Sequence, residues 1–249
     1  MEWIHEVSLT WMKMRQHFLT ASEVKQLIPL TKTGRKRTVT DLDRMKVYSN
    51  KIRHLTKADC ISTGAAARGH LLEPYAIEAY NNATGDKMYW WDDTLIPRVN
   101  KSNHLAFSPD AMSTESKENI LDTIEKTTCI GEVKCYGNDR HLITASTPKM
   151  ELEERWQIAT AMACSNFIIE ANLILFNPSM RNGYKLFVHR YSRFDLEEEI
   201  KMVRKVEEDW IKFISSVDSN NIIRSIPLLC NVEESDIIDK IRYTKALNP

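Results

Sequence analysis

"CIGEVKCY", residues 129–136, decides how this chain folds. Val133 stands between Glu132 and Lys134, behind an apolar lead-in. That is the alternation of a β-strand, in which successive side chains point to opposite faces. Glu132 and Lys134 therefore share one face of a strand whose neighbours in sequence are mostly apolar. A charge on a core strand costs free energy unless it is paired or used. Upstream, "FSPDAM" (107–112) delivers one more carboxylate, Asp110, directly after a proline that ends any regular ladder.

Together, Pro109-Asp110 and Glu132-Val133-Lys134 fit the pattern P-D…(D/E)-x-K. In it, two adjacent strands present two carboxylates and a lysine at one sheet edge. The residue types suit Mg²⁺, a hard cation that prefers carboxylate oxygens and leaves room for substrate phosphate and water; Mn²⁺ is an expected substitute. Such an ion stabilises charge developing on a phosphate and acidifies a bound water, which Lys134 is placed to hold. Without a cation, two close carboxylates repel and one takes up a proton. The same residues also suit a plain turn aspartate beside an edge-strand ion pair.

Outward from these segments, strands are expected over 93–99, 104–108, 168–178 and 184–192, with 127–136 the more central. A helix starts near residue 21, with Thr20 or Ser22 as its cap and Glu23 in its first turn. "STGAAARGHLL" (62–72) predicts a helix, and Pro74 the first turn of a second one ending at Gly85, which leaves Glu73 at the junction. Residues 150–165 read as a helix with Leu152, Trp156, Ala159 and Ala163 on one face and Gln157 at its edge. A last helix over 195–215 opens on Asp195-x-x-Glu198, which resembles a capping box. Strands flanked by helices indicate an α/β or α+β fold with a mixed central sheet. One domain over 1–215 is expected, with 216–249 a C-terminal extension of unassigned role.

With 249 residues and 43% hydrophobic residues, the chain can bury a substantial core. Thirty-four Lys and Arg balance thirty-four Asp and Glu, so a nucleic-acid partner must be held by a local basic surface. The five cysteines lack C-x-x-C spacing, which indicates reduced core thiols in a cytosolic setting. No apolar run reaches the roughly 20 residues of a membrane span. The histidines show no ligand-like spacing, so a zinc site is disfavoured. Met12, Met14, Trp90 and Trp91 read as packing groups.

Five segments resemble, in order, the lambda-type (YqaJ-like) phage recombination exonucleases of the PD-(D/E)XK nuclease superfamily. "WMKMRQHFLTASEV" is similar to their W-x-K-x-R…TASEV opening, "RGHLLEP" to their W-G-x-x-x-E helix, and "AFSPDAM" to their C-SPDG turn. "GEVKC" is similar to their E-x-K-C strand, and "WQIATAMACS" to their Q-x-x-x-x-M helix. The likeness runs from about residue 11 to 178.

The resemblance implies a restriction-endonuclease-like PD-(D/E)XK core and a metal-dependent 5′-to-3′ exonuclease. It makes Asp110, Glu132 and Glu73 metal ligands, Lys134 the water-positioning lysine, and Gln157 a steadying group from the next helix. Arg15 and Ser22 match the residues that bind the 5′-phosphate of duplex DNA, a role that suits the bidentate reach of a guanidinium. Arg35, Lys36, Arg37 and Arg140 are candidate contacts to the DNA backbone. A trimeric homo-oligomer, a single-strand annealing protein as partner, and the host cytoplasm (or the nucleus, for a eukaryotic virus) are implied too. The alternatives are another PD-(D/E)XK endonuclease, or a non-catalytic DNA- or partner-binding protein on the same fold. Departures from the pattern fall at Asn100, Ala111, Tyr136 and Ala159. A long insert before Glu132 carries Glu115, Glu118, Asp122 and Glu125.

Overall fold

The computed structural model describes residues 3–30, 35–91, 94–97, 104–115 and 120–219. In chain order these form β1 (Ile4–Glu6), α1 (Leu9–Gln16), β2 (Leu19–Thr20), α2 (Ala21–Leu27), α3 (Asp41–Ile52), β3 (Ile61–Thr63) and α4 (Gly64–Thr84). There follow β4 (Tyr89–Trp90), β5 (Ile96–Pro97), β6 (Leu105–Phe107), β7 (Ala111–Met112), α5 (Ile120–Lys126) and β8 (Cys129–Lys134). The rest is α6 (Asn138–Ser146), α7 (Arg155–Cys164), β9 (Glu170–Phe176), β10 (Leu186–Ser192) and α8 (Glu197–Ser219).

The main sheet is mixed and ordered β10-β9-β8-β7-β4, so the strand holding Glu132 and Lys134 is its middle member. β8 runs parallel to β9 and antiparallel to β7. Alternation sorts the side chains onto two faces. Leu173 and Leu175 join the larger core with residues of α2, α7 and α8, while Ile174 and Phe176 join a smaller one with Leu72, Ala76 and Tyr80 of α4. Helices thus cover both faces, as expected for a mixed α/β core. Each fully buried Leu or Ile of these layers contributes about 1.5–3 kcal/mol.

β6 does not continue into the main sheet. It pairs with β2 and β5 in a separate three-stranded sheet, and the chain resumes as β7 only after the Ser108–Asp110 turn. Pro109, lacking an N–H, makes this break, so the two-residue β7 was invisible to a periodicity reading. The rest of the strand expected over 93–99, from Arg98 on and at Asp93, lies outside the described residues.

Two expected helix boundaries need correction. α4 is one continuous helix from Gly64 to Thr84, with Pro74 inside it, and ends at Gly85 with φ 76°. Glu73 is therefore a mid-helix residue and not a junction. Proline deletes only the bond its own N–H would give to the His70 carbonyl. The packing of Leu72, Ala76, Ile77 and Tyr80 against the sheet outweighs that loss. The helix expected over 150–165 begins only at Arg155, after a 3₁₀ turn at Lys149–Glu151.

Asp195 is not the cap of α8. Its carboxylate accepts the Ser192 N–H at 2.9 Å and the Lys149 ammonium at 2.7 Å, closing the turn ahead of the helix. α8 itself buries Ile200, Val203, Val206, Trp210 and Phe213, and runs to Ser219, past the boundary at 215. Residues 220–249 of the expected extension lie outside the described residues, as do Asn100 and Glu118. Cys60, Cys135 and Cys164 are buried. Among the supposed packing groups Trp91 is buried, but Met14 and Trp90 are 44% and 42% exposed. No described helix is long and apolar enough to cross a membrane.

Candidate active site

The antiparallel register Ala111↔Gly131 places Asp110 opposite Glu132 one step further along, so both side chains fall on one face. The register has room because Gly131 lacks a side chain: a Cβ there would stand 3.1 Å from the Ala111 Cβ. Asp110 is held from both ends. Its Oδ2 accepts the Val133 N–H at 2.7 Å, and its carbonyl accepts the Trp91 N–H at 3.0 Å. Lys134 donates to the Glu132 carboxylate beside it. Glu73, from α4, lies 3.4 Å from the His70 Nδ1 one turn earlier.

Electrostatics follow from this crowding. Burial, then the charges of Glu132 and Glu73, hold the Asp110 carboxyl well above its ordinary range, against the pull of Lys134 and the Val133 N–H. Burial alone would lower the Lys134 ammonium, yet Glu132 and Asp110 together raise it. Lys134 is thus a retained cation. Cys135, pushed up to about 12 by burial and then by Glu73, is no thiolate nucleophile.

One cleft of about 590 Å³ brings together Asp110, Glu132, Lys134, Glu73, Gln157, Arg15, Ser22 and Arg140. Arg15 donates to Ser22 Oγ at 3.0 Å and stacks over the Trp11 ring at 4.4 Å. The N-terminal pair and the strand residues, more than a hundred positions apart, thus face one space. Arg140 is 63% exposed at its side chain, lies 3.9 Å over the Tyr136 ring and reaches Glu154 at 3.5 Å.

The other basic candidates stay away from the cleft. Arg37 folds onto α2, donating to the Ile28 carbonyl at 2.9 Å and to the Gln26 carbonyl. Arg35 and Lys36 are exposed beside it.

Among the described residues, no three His, Cys, Asp or Glu stand close enough to form a ready metal cluster. The reason is local. Glu132 is drawn to Lys134, Asp110 to the Val133 N–H and Glu73 toward His70. The donor chemistry nonetheless fits a hard divalent cation: three carboxylates and no thiolate, with burial and then mutual repulsion raising the Asp110 carboxyl, a cost that a cation would relieve.

Sequence reasoning missed Arg68 and Trp11. Arg68 of α4 donates to the carbonyls of Cys135 and Tyr136 at 3.0 and 3.1 Å and to Asn177 at 3.1 Å, fastening the helix of Glu73 to the end of β8. Its partners are 67 to 109 residues away, so no spacing could signal it. Trp11 could have been found from its place four residues before Arg15 on one helix.

A turn acid beside a strand acid–lysine pair, at the C-terminal end of the middle strand of a mixed sheet flanked by helices, defines a protein of PD-(D/E)XK-like fold. Residues 10–167 match the model of the YqaJ-like viral recombinase domain, and the chain belongs to that family. Among solved structures, the alkaline exonuclease LHK-Exo from Laribacter hongkongensis is similar over 90% of this chain and 100% of its own, at TM-score 0.62 and 19% identity. LHK-Exo in complex with dAMP gives TM-score 0.60 and 18% identity with the same coverage. At such identity the likeness is one of fold. No curated protein matches in sequence.

Proposed function

We propose that the protein is a metal-dependent 5′-to-3′ exonuclease that degrades one strand of linear double-stranded DNA and leaves 3′ single-stranded tails. The observation that carries this reading is the shared cleft: the Arg15–Ser22 pair and the Asp110, Glu132 and Lys134 group line the same space. A phosphate-binding pair beside a hydrolytic group measures cleavage from a strand end.

In this reading Arg15 and Ser22 hold the terminal 5′-phosphate, the guanidinium by paired hydrogen bonds. Asp110, Glu132 and Glu73 would hold Mg²⁺, or Mn²⁺ in its place. When bound, the cation supplies charge stabilisation on the phosphate and an acidified water. Lys134 orients the attacking water and shields it from the surrounding carboxylates. Gln157, in the first turn of α7 and lining the same cleft, steadies the group. The products are a mononucleotide and a duplex shortened at one strand. Arg140, at the cleft, contacts the DNA backbone.

The family resemblance supports the remaining parts of the proposal. These are a trimeric homo-oligomer, transfer of the 3′ tail to a single-strand annealing protein, action in the cytoplasm, and one catalytic domain over 1–215 with 216–249 as an extension.

The test is digestion of end-labelled linear duplexes, with and without a 5′-phosphate, in Mg²⁺ and in chelator, beside Glu132→Ala. The expected result is Mg²⁺-dependent release of 5′ mononucleotides, faster from phosphorylated ends and abolished in E132A. Digestion indifferent to the 5′ end that survives E132A refutes the reading. Nicking of closed circular DNA would instead identify an endonuclease, and DNA binding without cleavage a non-catalytic relative.

A further inference from the structure

Beneath the Arg15–Ser22 pair lies an ion pair that the catalytic reading leaves unused. Lys51, near the end of α3, donates to Glu23 Oε2 at 2.5 Å and to the Arg15 carbonyl at 3.0 Å. Glu23 Oε2 also accepts the Thr20 N–H at 2.9 Å and the Thr20 hydroxyl at 2.7 Å. Three elements converge here: the last turn of α1, the first turn of α2, and α3. Their side chains are largely withdrawn from water, with 9% of Lys51 and 15% of Glu23 exposed.

A pair so withdrawn is a poor device for stability, because desolvation offsets much of the attraction. What it does fix is direction. Thr20 has one hydroxyl proton, and Glu23 takes it. Thr20 and Ser22 are 3.2 Å apart, and with the Thr20 proton committed to Glu23 only Ser22 can donate between them; Ser22 thus keeps a proton that can turn to an incoming phosphate, while its lone pairs accept from Arg15 at 3.0 Å. Arg15 also points a second contact at Thr20 Oγ1, at 3.4 Å. The Lys51 ammonium, by holding the Arg15 carbonyl, fixes the backbone from which that guanidinium springs.

We propose that Lys51 and Glu23 are positioning residues for terminal-phosphate recognition: through Thr20 and the Arg15 carbonyl they set the orientation of the Arg15 guanidinium and the Ser22 hydroxyl. The inference rests on the reading of that pair as the 5′-phosphate site and deepens it, since it places end specificity in a buried charge pair that touches no DNA.

The test is the ratio of digestion rates on 5′-phosphorylated and 5′-hydroxyl linear duplexes, measured on the full chain in Mg²⁺. The variants are Lys51→Met, Lys51→Arg, the charge-free double variant Glu23→Gln/Lys51→Met, and Arg15→Ala as benchmark. The double variant removes the pair without stranding a buried charge, so it carries the test if K51M alone fails to fold. The expected result is a ratio lowered about tenfold in K51M and in the double variant, through a higher KM for the phosphorylated end, and restored by K51R. If the double variant keeps the wild-type ratio, even with both rates lowered together, while R15A loses it, the pair is merely structural and the proposal falls. If R15A itself keeps the ratio, the phosphate-site reading fails and this inference with it.

Discussion

The Asp110 carboxylate accepts the backbone N–H of Val133 at 2.7 Å, which ties the turn acid to the very residue between Glu132 and Lys134. The Asp110, Glu132 and Lys134 side chains are thereby referenced to one peptide unit. Movement of β7 against β8 would disturb all of them at once.

Replacing Glu132 by Gln or Lys134 by Met should therefore lower the digestion rate without unfolding the protein. A positioned proton-handling or charge-stabilising group of this sort contributes about 10²- to 10⁴-fold. Initial rates on a 5′-phosphorylated duplex, with circular dichroism as a folding check, measure it. Wild-type rates in K134M would remove the lysine from the mechanism.

Asp110 should make metal-free stability fall with pH. Its folded-state pKa is raised by burial and then by Glu132 and Glu73. A raised value means that its contribution is complete below the ordinary value of 3.8 and is lost as pH rises through the folded-state value. Asp110→Asn, which mimics the protonated acid, should melt higher than wild type at neutral pH in chelator, with the gap closing in acid. Added Mg²⁺ should raise the melting temperature of wild type far more than that of D110N. Equal melting at neutral pH would contradict the crowding of charge described here.

Gly131 should be replaceable only with compensation. A Cβ at 131 would stand 3.1 Å from the Ala111 Cβ and 3.4 Å from Ile174 and Met88. Gly131→Ala is expected to cost about 1–3 kcal/mol by overpacking. Ala111→Gly in the same chain should recover most of that cost, and denaturant titration of the two singles and the double reads the coupling.

Arg68→Met should destabilise the protein by about 1.5–3 kcal/mol, since it strips charged hydrogen bonds from two carbonyls and Asn177. Urea unfolding gives the value. A loss of activity beyond the folded fraction is expected as well, because Glu73 and Lys134 would no longer be fastened together.

Arg140→Ala and Arg37→Ala should separate two kinds of surface arginine. The first should reduce the slope of log affinity against log salt by about 0.9, the effect of one phosphate contact. Arg37, committed to the α2 carbonyls and 3.8 Å from Asp43, should leave the slope alone and lower stability. DNA-binding isotherms across a salt series distinguish them.

The sequence alone determined what is local: the alternation that puts Glu132 and Lys134 on one face, the proline that breaks the ladder before Asp110, and a helix start near residue 21 with Glu23 in its first turn, whose cap only the structure assigns to Thr20. It determined also which chemistry was at hand, since carboxylates and a lysine without ligand-spaced cysteines suit hard cations. Only the tertiary structure decided where these pieces go. Pro74 does not stop α4, because burial of that helix against the sheet outweighs one missing hydrogen bond, and so Glu73 is carried within one helix to the cleft that Asp110 and Glu132 line. Arg37 is turned onto α2, while Arg15 is turned into the cleft. Spacing along a chain reaches only a few residues, whereas these choices are settled by packing between segments tens to more than a hundred residues apart.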